Sequence, residues 1–241
     1  MRITATGFST IGTGRKANGD TFIIDRPMGF YAVADTVGTF SGNMVPSYFV
    51  IEQMRDSVKE AIVNGDTDWD NVLTRAVSKA NETVLRMRNT NPNGKYGTTL
   101  TCCLIRNTQA WFVHLGDSRA YVIQDGQIEQ ITRDETLAML LYEKSMITSS
   151  AVLRHPGRNH VLNVIGTQPE IRITCWKVSL TEGMKILLCT DGVATFLPKE
   201  EILQIAAGGT KKLKSFARRM VESAREKGSR DDATAVVLGT A

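Results

Sequence analysis

The spacing of apolar residues changes along the chain from a two-residue period to a helical period and then back. Residues 2–9, 20–25 and 29–34 are short runs rich in Ile, Thr, Phe, Tyr and Val, a composition typical of β-strands. Apolar residues then recur every three or four positions over about 45–63 and again over about 68–88. This period predicts two amphipathic helices that follow the first strands.

Strand signals resume after a polar loop at 89–97. Four further strands are predicted, at 97–105, 110–115, 118–124 and 127–131. Asp125 and Gly126 between the last two are typical of a tight hairpin turn. We interpret these strands as an antiparallel meander.

The last part of the chain mixes short helices and strands. Helices are predicted near 136–144, 158–165, 199–207 and 210–227, and strands at 170–179, 184–190 and 233–238. The order of strands, helix pair, strands, helix pair and strand lacks the regular alternation of a parallel sheet. We therefore predict an α+β fold in which antiparallel sheets stack face to face and helix pairs cover the outside. No repeat or linker divides the sequence, so we expect one domain over 1–241.

Composition excludes several classes of protein. The 241 residues include 42% hydrophobic and 22% charged residues, with a formal net charge of +4. This excess is too small to indicate a nucleic-acid-binding protein. No apolar run approaches the roughly 18 residues of a membrane span, and the N-terminus does not resemble a signal peptide. We expect a cytoplasmic protein whose four cysteines are free thiols.

Aspartates stand at the ends of several predicted strands. They are Asp20, Asp35, Asp117, Asp191, Asp231 and Asp232. Any one of them is readily explained as a turn former or a helix cap. A carboxylate at the mouth of a buried strand is costly to desolvate unless it is paired or binds a cation. Aspartates at five separate strand ends therefore suggest a site for Mg²⁺ or Mn²⁺, which prefer oxygen ligands.

Arg15 precedes the first of these aspartates. Beside a carboxylate and metal site its guanidinium would suit a phosphate oxyanion, although an ordinary surface arginine explains the spacing equally well. A metal-assisted phosphate hydrolase is thus one open interpretation. A haloacid-dehalogenase type of enzyme is excluded, because the position of its nucleophilic aspartate is Cys189 here.

Several motifs together resemble the metal-dependent protein phosphatases of type 2C, the PPM family, in their compact bacterial form. In the family's order they are RKANGD at 15–20, VADTVGT at 33–39, GTTL at 97–100, GDSRAY at 116–121, HPGRNHVLNVIGT at 155–167, LLCTDGV at 187–193 and SRDDATAVVL at 229–238. The resemblance covers nearly the whole chain. It implies a four-layer αββα sandwich, with two central antiparallel β-sheets flanked by helix pairs.

The resemblance also implies a set of metal ligands for two main Mn²⁺ or Mg²⁺ sites. Asp35 would bridge the two metals, and the backbone carbonyl of Thr36 would bind one of them. Asp191 and Asp231 would bind the second metal. Asp20 would hold metal-bound water.

The implied activity is hydrolysis of phosphoserine and phosphothreonine in proteins. Asp117 would help to hold a third metal, and Arg15 would bind the phosphate. The nucleophile would be a metal-bridging hydroxide, without a phosphoenzyme. The expected partner is a phosphorylated protein, either a bacterial Ser/Thr kinase or its target, and we expect a monomer that binds neither nucleic acid nor membrane.

Some positions depart from the family pattern. Gly19 stands where the family has Glu or Gln, and Thr36 and Thr39 replace two glycines, where a positive φ would strain them. Glu135 replaces the usual His and Asp232 the usual Asn; the added charge of Asp232 is expected beside the metals. These departures leave open a second interpretation, a degenerate, non-catalytic member that binds a phosphoprotein as a regulator.

Two further segments carry expectations about partners. Residues 136–160 occupy the place of the family's flap beside the active site, where substrate choice would be set. Residues 211–230 include eight Lys and Arg residues. These form either the solvated face of the last helix or a surface for an acidic partner.

Overall fold

The computed structural model describes residues 1–39, 45–90, 94–207 and 213–241. The strands within these residues are β1 (Ile3–Thr10), β2 (Asp20–Asp25), β3 (Phe30–Thr39), β4 (Lys95–Thr98), β5 (Leu100–Arg106), β6 (Gln109–Leu115), β7 (Arg119–Gln124), β8 (Gln127–Gln130), β9 (Thr174–Ser179), β10 (Lys185–Cys189) and β11 (Ala233–Thr240). The helices are α1 (Pro46–Asn64), α2 (Trp69–Thr90), α3 (Leu137–Glu143), α4 (Ser149–Val152), α5 (Asp191–Ala194), α6 (Lys199–Ala206) and α7 (Leu213–Glu226).

The strands form two antiparallel sheets. The first sheet has the order β1-β11-β10-β7-β8, so the first and last strands of the chain are neighbours. The second sheet has the order β2-β3-β5-β6-β9, and β4 pairs with the outer part of β3. Both ends of the chain therefore contribute to the first sheet, and its long-range pairing places sequence-distant strand ends together.

The alternation of apolar side chains along the strands produces the layers. In β11, Val236 and Leu238 face the second sheet, whereas Ala235 and Val237 face α5, α6 and α7. In β3, Tyr31 and Val33 face the first sheet, whereas Phe30, Ala32 and Ala34 pack against α1 and α2. Because a strand presents successive side chains to opposite faces, each sheet is covered on both sides. The predicted four-layer α+β sandwich is confirmed.

Two details of the predicted middle strands are wrong. The strand expected at 97–105 is divided into β4 and β5 at Thr99, whose backbone N–H donates to the Asp35 carbonyl (2.9 Å). The four middle strands are not one meander either, since β5 and β6 belong to the second sheet and β7 and β8 to the first. The chain crosses between the sheets at 116–118.

The helix predicted near 158–165 is also wrong. A 3₁₀ turn covers Pro156–Asn159, after which Val161 and Ile165 form single bridges to residues of other elements. These long-range pairings explain the apolar spacing that resembled a helix. α4 and α5 were not predicted, and the strand expected at 170–179 begins only at Thr174.

The other predicted elements agree with the structure to within a few residues, except that β3 continues to Thr39. Residues 91–93 of the predicted loop and 210–212 of the last predicted helix lie outside the described residues. The four cysteines are free thiols, as predicted. No helix in the described part of the chain has the length and apolar character needed to cross a membrane.

The crossing between the sheets depends on Gly116. Its φ is +105°, and a Cβ added there would lie 2.6 Å from the Thr99 methyl carbon. A side chain at this position would meet both an unfavourable backbone conformation and a packed neighbour.

We expect Gly116→Ala to lower the free energy of unfolding by about 2–5 kcal/mol, because the backbone and packing penalties add. The matched control is Gly126→Ala at the hairpin turn, where φ is +75° and no atom lies within 4 Å of the added Cβ. This control should cost only about 1–2 kcal/mol. Urea unfolding of both variants measures the difference, and equal losses would contradict the packing role of Gly116.

Candidate active site

Five of the aspartates predicted from strand ends meet at one edge of the sandwich. Asp20 begins β2 and lies opposite Asp35 of β3 in the strand register. Asp191 begins α5 directly after β10, Asp231 precedes β11, and Asp117 lies at the crossing between β6 and β7. Burial, followed by the charges of the other four, raises the pKa of Asp35 well above its usual range. The carboxylates are thus close enough to repel one another strongly.

Asp20 connects the two sheets. Its Oδ2 accepts hydrogen bonds from the hydroxyls of Thr190 (2.8 Å) and Thr234 (2.7 Å), which belong to the first sheet and its margin. Its buried Oδ1 has no hydrogen-bond partner. Burial raises the pKa of Asp20 to about 7, the two threonine hydroxyls oppose this shift, and the charge of Asp191 adds to it.

Asp191 and Asp117 are two further carboxylates whose pKa is raised by burial and by a neighbouring charge. The Oδ1 of Asp191 is buried without a hydrogen-bond partner, and burial together with Asp231 raises the pKa of Asp191 to about 6. Burial and the charge of Asp191 likewise raise the pKa of Asp117 well above its usual range. A buried carboxylate oxygen without a donor is costly unless a cation binds it. The donor set of unpaired carboxylate oxygens therefore fits a hard divalent cation.

Thr36 is accommodated without backbone strain. Neither Thr36 nor Thr39 has a positive φ, so the strain expected from replacing two glycines does not arise. The Thr36 N–H donates to the Gly19 carbonyl (3.1 Å), and its hydroxyl accepts from the Ser47 N–H (3.2 Å). Gly19 therefore takes part through its backbone, and the contacts of Thr36 fix the chain directly after Asp35.

Arg15 lies against the acidic cluster. Its guanidinium forms ion pairs with Asp231 and with Asp232, the latter at 2.8 Å. Partial burial lowers the pKa of Arg15, but the charges of Asp231, Asp232 and Asp35 outweigh this effect and raise it. The structure thus places the predicted phosphate-binding residue beside the predicted metal ligands, with its guanidinium engaged by carboxylates.

Asp232 makes its contacts with the loop that carries Arg15. Its buried carboxylate accepts from the backbone N–H groups of Gly12 (2.6 Å) and Gly19 (2.7 Å) as well as from Arg15. It therefore organises the loop that carries Arg15 and leads to Asp20. The sequence shows two adjacent acids but contains no signal that assigns one to this loop.

The acidic cluster is not arranged as a complete metal site. Among the described residues, no three His, Cys, Asp or Glu side chains are already grouped in a way that could hold a metal ion. One reason is the ion pair between Arg15 and Asp231, because it occupies one of the five carboxylates that would otherwise face a metal ion. The cluster supplies two unpaired buried oxygens, on Asp20 and Asp191, toward such a site.

Glu135 supports the crossing segment from outside the cluster. Its Oε2 accepts from the Gly116 N–H (3.0 Å) and from Asn163 Nδ2 (2.7 Å), and its Oε1 pairs with Arg172 (2.8 Å). The Glu135 N–H also donates to the Gly116 carbonyl (2.7 Å). Sequence reasoning identified Glu135 only as a departure from the family pattern; its role as a clamp on the residue before Asp117 depends on contacts that the sequence does not show.

The known proteins that this chain resembles are bacterial phosphatases. The family profile described as Protein phosphatase 2C matches residues 18–237. The serine/threonine protein phosphatase PstP of Mycobacterium tuberculosis is 30% identical over 210 residues, which cover 86% of this chain and 39% of PstP. This chain thus spans less than half the length of that relative. The serine/threonine phosphatase stp of Listeria innocua is 25% identical over 224 residues, which cover 92% of this chain and 88% of stp.

A solved structure supports the same relationship. The catalytic domain of the serine/threonine protein phosphatase PstP, in complex with two manganese ions, superposes with a TM-score of 0.85 at 26% identity. The superposition covers 98% of this chain and 97% of that chain. The class of protein defined by this sandwich and its acidic edge is therefore that of the PPM phosphatases. The chain belongs to the protein phosphatase 2C family.

The Glu135 clamp can be tested by stability. Glu135→Ala should lower the free energy of unfolding by about 2–3 kcal/mol, because it leaves the Gly116 N–H and one of the two N–H groups of the Asn163 amide without an acceptor. The other Asn163 N–H keeps its bond to the Arg172 carbonyl. The matched control is Arg172→Ala, whose side chain is 74% exposed. An exposed ion pair contributes only about 0–1 kcal/mol. Urea unfolding should separate the two variants, and equal losses would indicate that the exposed ion pair alone explains the effect.

His114 is a second buried group near the crossing. Its Nδ1 lies 2.9 Å from the Thr101 hydroxyl, and its Nε2 lies 3.0 Å from the Arg133 carbonyl. Burial lowers the pKa of His114, although the charge of Glu135 opposes this shift. The neutral imidazole is therefore the form that the folded protein favours.

We expect His114 to make stability depend on pH. Its folded-state pKa lies below the unfolded value of about 6.5, so its contribution is present above that value and is lost as the pH falls toward the folded-state pKa. The loss cannot exceed about 1.4 kcal/mol per pH unit for one proton. Urea unfolding between pH 7.5 and 5.5 should show a steeper decrease for the natural chain than for His114→Gln. Equal decreases in the free energy of unfolding of the two proteins would contradict the role of His114 in the pH dependence.

Proposed function

We propose that this protein is a metal-dependent protein serine/threonine phosphatase that uses Mn²⁺ or Mg²⁺. The observation that carries the proposal is the mutual proximity of five carboxylates at one edge of the sandwich, two of which have buried oxygens without a hydrogen-bond partner. Such a cluster is unfavourable by itself and favourable around divalent cations. The manganese bound by the related PstP catalytic domain supports the same cofactor here.

The proposed ligands come from both halves of the chain. Asp35, with the carbonyl of Thr36, would hold the cations together with Asp191 and Asp231 from the other sheet. Asp20 would hold water beside them, and Asp117 would serve a third cation. Because these residues derive from sequence-distant strands that pack in one sandwich, we also propose that residues 1–241 act as a single catalytic domain.

The proposed hydrolysis of a phosphate ester depends on the positive charges of the bound cations and of Arg15. When bound, the cations would supply an activated water for attack at phosphorus and would neutralise the phosphate. If Asp231 bound a cation, it would release Arg15 Nη2, which would then be available to bind a phosphate oxygen while Nη1 stays paired with Asp232. Asp232 would keep the Arg15 loop in place throughout, because it retains its bonds to Gly12 and Gly19.

The phosphorylated partner is part of the proposal. The relatives are named serine/threonine phosphatases, which supports a phosphorylated protein as the substrate. We propose that a Ser/Thr kinase or its target is that substrate, and that the protein acts as a cytoplasmic monomer.

The experiment is hydrolysis of p-nitrophenyl phosphate and of a phosphothreonine peptide, with Mn²⁺ and with a chelator. We expect hydrolysis that requires Mn²⁺ and decreases at least a hundredfold in Asp35→Asn and Asp191→Asn, since each would lose a cation ligand. These variants should fold, because each removes one of several mutually repelling carboxylates. Asp56→Asn on the exposed side of α1 is the matched control and should retain activity.

Two results would contradict the proposal. Equal hydrolysis with chelator, or in both aspartate variants, would exclude the metal mechanism. Tight Mn²⁺ binding in calorimetry, without hydrolysis of any phosphopeptide, would instead favour the non-catalytic, phosphoprotein-binding alternative. The ion pairs of Arg15 with Asp231 and Asp232 are the reason to test this alternative, because they occupy the proposed phosphate-binding guanidinium.

A further inference from the structure

A cavity of about 210 Å³ lies beside the acidic cluster, and its wall is predominantly apolar. Asp117 and Asp191 of the cluster form part of this wall. Another part consists of Met139 and Tyr142 from α3, Val152 from α4 and Leu153 directly after it, which we name the apolar subsite. The cavity therefore joins the candidate catalytic residues directly to an apolar surface.

The apolar subsite belongs to an unusually exposed segment. Of the ten large hydrophobic residues that are exposed in the described part of the chain, five lie between positions 140 and 162: Leu140, Tyr142, Met146, Leu153 and Leu162. Leu153 is 63% exposed and Tyr142 is 42% exposed. Single exposed apolar residues are ordinary, but a cluster beside a cavity marks a binding surface.

The two arginines of the cavity wall, Arg119 and Arg158, already have partners. Arg119 donates to both carboxylate oxygens of Asp134, at 2.8 and 2.6 Å, and to the Ala194 carbonyl. Arg158 donates to the Leu153 carbonyl at 3.3 Å. An apolar group could therefore enter this part of the cavity without leaving the Arg119 and Asp134 pair unsatisfied.

The size of the cavity limits its occupant. Sites for complete small ligands usually measure about 300–1,000 Å³, so 210 Å³ suits a single side chain better than a whole molecule. An extended peptide advances about 3.3 Å per residue. A side chain within three residues of a phosphorylated Ser or Thr, whose phosphate lies at the acidic cluster, is thus within reach of the apolar subsite.

We propose that the apolar subsite binds an apolar side chain, of the size of leucine, that lies within three residues of the phosphorylated Ser or Thr of the substrate protein. This inference rests on the proposed phosphatase function and specifies its substrate class. Continuity between the cavity and the candidate catalytic carboxylates makes the substrate itself the occupant, in preference to a second copy of this chain.

The test uses a set of phosphothreonine peptides with Leu or Ser at each of the three positions on either side, together with p-nitrophenyl phosphate. We expect at least one position where Leu gives about tenfold higher kcat/KM than Ser, the discrimination that a small apolar pocket provides. Leu153→Ser should reduce this preference to about twofold or less. Hydrolysis of p-nitrophenyl phosphate by the same variant separates a loss of peptide preference from a loss of the catalytic centre, because that substrate carries no side chain for the subsite.

Met146→Ser is the matched control. Met146 is 66% exposed in the same segment but does not line the cavity, so this variant should keep the preference for Leu. Loss of the preference in Met146→Ser as well would overturn the assignment to the subsite. Light scattering on all three proteins detects self-association; a dimer that Leu153→Ser dissociates, without a change in peptide preference, would likewise overturn the proposal.

The two proposals fail in different ways. Mn²⁺-dependent hydrolysis of p-nitrophenyl phosphate and of all peptides, at rates independent of Leu or Ser, would overturn the apolar subsite and leave the phosphatase function intact. No hydrolysis of any substrate with Mn²⁺ would overturn the phosphatase function and the subsite with it.

Discussion

Mutual repulsion among closely placed, partly or fully buried carboxylates is the constraint around which this edge of the molecule is organised. Asp20 and Asp35 face each other across neighbouring strands, and Asp191 reaches them from the other sheet. Charges this close in a poorly solvated place must be neutralised by protons, by cationic side chains or by metal ions. The raised pKa values of Asp20 and Asp191 and the ion pairs of Arg15 are two of these three responses.

The surrounding framework keeps the carboxylates in place in spite of that repulsion. Asp232 ties the loop of Arg15 to the first sheet through two backbone amides, and Glu135 clamps the chain before Asp117. Neither carboxylate is one of the five in the cluster. Each satisfies backbone donors near it, so the acidic edge combines carboxylates that need a counter-charge with carboxylates that already have partners.

Local sequence signals predicted much of this arrangement. Alternating apolar residues identified most strands, and five of the six aspartates named at strand ends are the members of the cluster. Long-range contacts account for the errors. Bridges through Val161 and Ile165 replace the helix predicted near 158–165, and the crossing at Gly116 separates strands that looked like one meander. The role of Asp232 depends on amides more than 200 positions away, which no local pattern reveals.

The position of Asp20 has a thermodynamic consequence. It belongs to the second sheet, yet its carboxylate accepts bonds from Thr190 and Thr234 on the side of the first. The cluster therefore exists only while the two sheets are docked. A cation held jointly by Asp35 and Asp191 would bind the docked sheets alone, so each tenfold increase in its concentration above the dissociation constant would stabilise docking by about 1.4 kcal/mol. The concentration of a cation bound at one edge would then contribute to the free energy of unfolding of the whole sandwich.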